Sequence, residues 1–238
     1  MAGFQTSVGL NQAYAIPGTL LVTYPYTSVA ALPGELLAGS AGVIMARFAW
    51  AHNTTGVVSN GKPNQLLSAR CGLVTRESGV ASITDYLGEA SMVIAAGREV
   101  TLYDSGHAVI TCPSGGASPG QRVFASYYDG SFTVGTAGTP TTSTLSVTTT
   151  SGSNAISFTG GNLAPGMPIS GTGIPASSFV GTVNAGAGTA TLVTAAGAAA
   201  NATGSATVTA TISNYETRFF VKTGGAAGEA IIISDKGF

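Results

Sequence analysis

Residues 39–111 read GSAGVIMARFAWAHNTTGVVSNGKPNQLLSARCGLVTRESGVASITDYLGEASMVIAAGREVTLYDSGHAVIT, and the spacing of apolar and turn residues along them decides the fold. Residues 43–50 (VIMARFAW) combine aliphatic, aromatic and β-branched side chains, which suit a pleated, half-buried strand, and they lie between Gly42 and a turn at residues 53–56. Ser59-Asn60-Gly61 follows, and Asn-Gly favours the positive φ angles of a two-residue hairpin turn. Residues 92–96, Gly97 and residues 100–103 predict strand, turn and strand, and residues 108–112 predict another strand after Gly106. No run keeps a 3.6-residue apolar period over the roughly ten residues of an ordinary helix. Residues 83–90 have room for one or two helical turns. The stretch predicts an all-β chain: an antiparallel β-sandwich or barrel-like main domain, with a second small β domain inserted near the C-terminal end.

Residues 1–38 carry one charge, Glu35, together with Phe4, Tyr14, Tyr24 and Tyr26 and prolines at 17, 25 and 33. The prolines exclude a regular helix or a central strand. The aromatics argue against disorder, whose composition is charged and aromatic-poor. An extended arm fits. It docks on a neighbouring subunit, packs on its own domain, or does both. The expected partner contacts are Phe4, Tyr14, Pro17, Tyr24, Pro25 and Tyr26, with the tyrosines as anchors, because Tyr buries large area at modest entropy cost.

On the other side, residues 121–128 (QRVFASYY) predict a strand with Val123, Ala125 and Tyr127 on one face. From Gly130 to Tyr215 there is no Asp, Glu, Lys, Arg or His. Alternating runs at 144–148, 189–193 and 206–212 predict strands. Ile156, Phe158, Leu163, Met167, Ile169, Ile174, Phe179, Val180 and Val183 are a candidate core for them. Residues 138–213 are therefore expected to form the inserted β domain; a disordered linker is the alternative, with 195–204 (AAGAAANATG) its strongest stretch. Residues 218–222 and 230–234, joined by a Gly-rich turn, should complete the main sheet, with Ile231–Ile233 buried on both faces or at an interface. The expected organisation is an arm at 1–38, a core of 39–137 plus 214–238, and an insert at 138–213.

No catalytic, metal or cofactor residue is predicted, and the chain does not read as an enzyme. His52 and His107 lie in turn sequences without paired ligand spacing towards Asp85 or Asp104. No Gly-x-Ser-x-Gly elbow or phosphate-cradling loop occurs. Arg47, Arg70, Arg76, Arg98 and Arg122 are scattered, and suit pairing with Glu77, Asp85, Glu89, Glu99 or a partner's carboxylates. A net charge of −1 gives no nucleic-acid footprint. No apolar run reaches the roughly 18 residues of a membrane span, and residues 1–10 carry no leader pattern, so a soluble protein made in the cytoplasm is expected. Cys71 and Cys112 read as buried thiols, with a bridge between them left open by their spacing. Charged residues make up 8% of the chain, against about 25% in ordinary soluble domains. So little charge protects poorly against self-association, and favours a surface buried against partners.

The blocks AGSAGVIMARFAW, GLVTRE and ITDYLGEASMVIAAGREVTLYDSGHAVI, with QRVFASYYDG and ETRFFVKTGGAAGEAIIIS, resemble the capsid cement (decoration) proteins of tailed bacteriophages. Arg47–Trp50, Gly72–Glu77 and Tyr86–Val100 occupy the family's motif positions, and Ala95-Ala96 stands where the family often has proline. The resemblance spans roughly residues 1–130 and 214–238. It implies a structural virion protein on the outer surface of the capsid that bridges neighbouring major capsid subunits, with the major capsid protein and itself, as dimer or trimer, for partners. Residues 162–183 resemble a small β repeat of phage structural and bacterial surface proteins. On the capsid reading the insert is expected to project outward, free of the capsid contact, and to engage host-surface glycan. A tail-borne or surface carbohydrate-binding β module is the alternative.

Overall fold

The computed structural model describes residues 16–30, 34–63, 70–76 and 92–236. Among them every regular element is a strand, and one pair apart the strands run antiparallel. The chain is all-β, as the alternation predicted.

Two sheets face each other. The first runs, in spatial order, Thr27–Ser28, Leu102–Ser105, Arg70–Val74, Phe48–Ala51, Val57–Ser59 and Leu37–Ala38. The second runs Phe132–Gly135, Arg122–Ala125, Tyr215–Val221, Ala230–Ser234 and His107–Thr111. Successive strand residues point to opposite faces, so Phe48 and Trp50 enter the space between the sheets, where they join Leu73, Ile110, Val123, Phe219, Ile231 and Ile233. Ala49 and Ala51 point the other way, into a second apolar layer with Val43, Met45, Val58, Ile94 and Leu102. A ribbon of Val43–Ile44 and Val93–Ile94 contributes to that layer. All four residues of Phe48–Ala51 are buried, because the first sheet is covered on both faces. In Ala230–Ser234, Ile231 and Ile233 face the core and Ile232 is half-buried on the far side.

Two expectations fail here for one reason. Residues 43–50 are not one strand: Val43–Ile44 and Phe48–Ala51 are separated by a turn in which Ala46 takes φ 59°. Asn60-Gly61 is not a hairpin turn either, since neither residue has positive φ. The buried Asn60 side chain braces the break instead. Its Oδ1 accepts from Ile44 N at 2.6 Å, and its Nδ2 donates to Ile44 O at 3.1 Å and Phe48 O at 3.0 Å. The hairpin lies at residues 53–56, where Gly56 has φ 67° and His52 Nδ1 accepts from the amides of Thr54 and Thr55. The helical turns expected at 83–90 lie outside the described residues.

Residues between the two halves of the second sheet form a closed barrel of Thr142–Thr149, Ala155–Thr159, Thr189–Val193, Ser178–Asn184, Pro168–Ser170 and Ala206–Ser213, in that spatial order. Six of the nine expected core residues are in its buried core, and Phe158 and Val183 pack against it. Phe179 is half-buried. The 195–204 stretch is not a disordered linker. Ala200 N donates to Leu192 O and Ala202 N to Ser153 O, and both alanines are buried. The chain enters and leaves the barrel side by side: Thr142 pairs with Ser213, and Asn214 N donates to Thr141 O at 3.0 Å. Tyr127 joins the two bodies, packing against both cores and stacking on Trp50.

Three of the five scattered arginines pair within the chain, with carboxylates the sequence did not single out: Arg47 with Asp129 at 3.0 Å, Arg70 with Glu35 at 3.3 Å and Arg122 with Glu216 at 2.8 Å. Glu77, Asp85 and Glu89 lie outside the described residues. Cys71 and Cys112 are free thiols, and burial pushes both upward from the usual thiol pKa.

Candidate functional site

Leu102–Ser105 and His107–Thr111 are one ribbon bent at Gly106, which takes φ 134° and has Tyr26 Cβ where its own Cβ would stand, 2.9 Å away. The bend carries the ribbon out of the first sheet into the second, so it borders both. Such borders leave a row of unpaired amides and carbonyls. The arm covers them. Gly18 N donates to Val109 O at 2.7 Å, Val109 N to Thr19 O at 2.9 Å and Leu21 N to His107 O at 2.8 Å. After a turn closed by Tyr24 N and Leu21 O, Thr27–Ser28 pairs with Ser105 and Tyr103, and Val29 N reaches Leu102 O. Pro17 and Pro25 lack an amide hydrogen and leave these bonds to their neighbours.

The side chains follow the same path. Tyr24 stacks on His107, with ring centroids 4.0 Å apart and planes 9° apart. Tyr26 meets Tyr103 edge-on at 5.7 Å, and Thr27 Oγ1 donates to Asp104 Oδ1 at 2.5 Å. Pro17 is half-buried at the mouth of a cleft of about 520 Å³ shared with Ile16, Met45, Met92 and Phe132. Pro25 is exposed. Phe4 and Tyr14 lie outside the described residues. Of the six expected contacts, the structure thus brings Tyr24 and Tyr26 together on one ridge, with Pro25 between them and Pro17 further along.

On the outside, the arm keeps Ile16 60%, Val22 70%, Tyr24 47% and Tyr26 47% exposed. Residues 16–30 carry no charge. A strip of large apolar side chains without charges suits a partner surface rather than water. The sequence reading missed the receiving ribbon, above all Gly106, His107 and Tyr103; the only signal was a glycine between two strand-like runs.

His107 is buried between Tyr24 and Ser234, whose Oγ lies 3.1 Å from its Nε2. Burial holds the imidazole below its usual pKa, and the charges of Lys222 and Lys236 add to this against the opposing Asp235. Asp235 is partly desolvated, which pushes its carboxyl up. Bonds from Gly106 N at 2.7 Å and the Ser105 hydroxyl at 2.8 Å outweigh this and keep it below the usual carboxylate range. The serine–histidine contact is structural: both residues are buried, and Ser234 Oγ also bonds Lys236 N and O.

Residues 4–159 match the family model described as XM1 gp53 minor capsid protein. The chain belongs to this family. It is a structural protein of a phage capsid, carried in the virion. The matched residues take in the arm, the whole first sheet, part of the second and the first two barrel strands. A chain from the capsid of Myoviridae phage XM1 aligns with 81% of this chain and 96% of its own length, at 17% identity and a TM-score of 0.39. No curated protein matches.

Proposed function

We propose that the protein is a capsid cement: it binds the outer face of the assembled shell and bridges neighbouring major capsid subunits. The observation that carries this is the uncharged apolar strip of the arm, in a member of a minor capsid protein family. Backbone pairing holds the arm in place, so little ordering entropy remains to be lost on docking. A ligand that binds only the assembled shell stabilises it by mass action. Many copies on adjacent capsomers add avidity while each contact stays modest. Closed symmetry calls for dimers or trimers at local axes of the shell. The role is non-enzymatic.

The test is co-sedimentation of the purified protein with undecorated, expanded heads, with thermal release of packaged DNA followed alongside. Saturable binding and a raised release temperature are expected. Absence of both overturns the cement reading.

A further inference from the structure

Where the sandwich tip meets the barrel wall there is a second cleft, of about 400 Å³, lined among others by Tyr128, Asp129, Ser143, Thr144, Asn162 and Asn214. Its volume falls in the range of about 300–1,000 Å³ common for small-ligand sites, and such sites favour the junctions between packed units. We propose that this cleft binds one or two residues of an uncharged saccharide. The inference goes beyond capsid docking and does not rest on it, since the cleft shares no residue with the strip of the arm.

The lining chemistry selects the ligand. A sugar ring offers hydroxyls that both donate and accept, and amide and hydroxyl side chains answer in both senses. Ser143, Thr144 and Asn162 make no side-chain hydrogen bond within the described residues, and all three are exposed. Asn214 spends its Nδ2 on Thr141 Oγ1 at 3.0 Å and keeps its carbonyl oxygen for an incoming hydroxyl. Tyr128 is 46% exposed and supplies a flat apolar face for the C–H side of a ring. Charge excludes other ligands. Asp129 is the one ionisable carboxyl of the lining and opposes anions, while its salt bridge to Arg47 at 3.0 Å leaves it little net charge for a cation. The Ser126 and Ser131 hydroxyls brace the same carboxylate, with Ser131 Oγ donating to Oδ1 at 2.6 Å, so it remains a fixed acceptor.

The experiment uses the full chain on an array of immobilised glucose, galactose and N-acetylglucosamine oligosaccharides beside sialylated and phosphorylated ones. Saturation-transfer NMR with the best free oligosaccharide follows. Saturable binding to at least one neutral saccharide is expected. Tyr128→Ala and Asn162→Ala should each weaken it about tenfold, a loss of roughly 1.4 kcal/mol. Both positions are exposed, so the melting temperature and head co-sedimentation should stay at wild-type values. Binding to charged saccharides alone, no binding at millimolar saccharide, or binding that both variants retain overturns the proposal.

Discussion

At Asn60 one amide holds the turn that splits residues 43–50, satisfying Ile44 N, Ile44 O and Phe48 O at once. Asn60→Ala leaves buried backbone groups without partners, and the cost of such orphaned groups is about 1–3 kcal/mol. The urea midpoint should fall accordingly. Gly130 is stricter still. It sits at φ 66°, and a Cβ there would collide with the Phe48 carbonyl oxygen, so Gly130→Ala should give mainly insoluble protein. His107 sets the acid response. Its folded pKa lies below the ordinary 6.5, so the unfolded chain takes up the proton first as pH falls. Stability is then fully present above about pH 6.5 and declines from there towards the depressed folded value. The melting temperature should fall over that window in the wild type and be flatter in His107→Gln. Asp235 acts lower: its carboxylate contribution is lost only as pH falls below about 3.9.

The arm is the element in which packing and docking meet. Its inner side closes two sheet edges through backbone bonds, and its outer side presents Ile16, Val22, Tyr24 and Tyr26. These two roles separate by mutation. Removing residues 1–28 bares Leu102–Ser105 and His107–Thr111, and exposed edges pair with other chains. Light scattering should then show aggregates larger than the dimer or trimer expected of the full chain. Changing Tyr24 and Tyr26 together to Ala keeps the backbone bonds but removes the apolar anchors. Head occupancy in the sedimentation assay should fall at least about tenfold, with the β spectrum in circular dichroism unchanged. Wild-type occupancy would show that the docking surface lies elsewhere.

For the whole molecule, the entry and exit strands of the barrel are hydrogen-bonded neighbours, which is the geometry that lets an insertion be removed. We propose that residues 138–213 fold as their own domain and project from the shell. Replacing them with a short Gly/Ser loop should leave a sandwich that unfolds in one cooperative step and still binds heads. The loss in stability should be confined to the cover that the barrel gives Tyr127. Loss of head binding on this deletion would place the barrel in the capsid contact.

The sequence by itself determined the β class, three of the six barrel strands and six residues of the barrel core. Those signals are local: period-two alternation in residues 142–149 and 206–213 says which side chains point inward, whatever lies beyond. It also marked Tyr24, Pro25 and Tyr26 as unusual, because prolines and aromatics without charges are legible from composition. Tertiary structure alone decided that residues 43–50 break in two, that Asn60 braces the break instead of turning a hairpin, and which carboxylate each arginine takes. These depend on groups distant in sequence, such as Met92 O, Val74 O and Asp129, arriving at the same place. The same holds for the arm, whose inner face has a partner only because Gly106 bends one ribbon across both sheets.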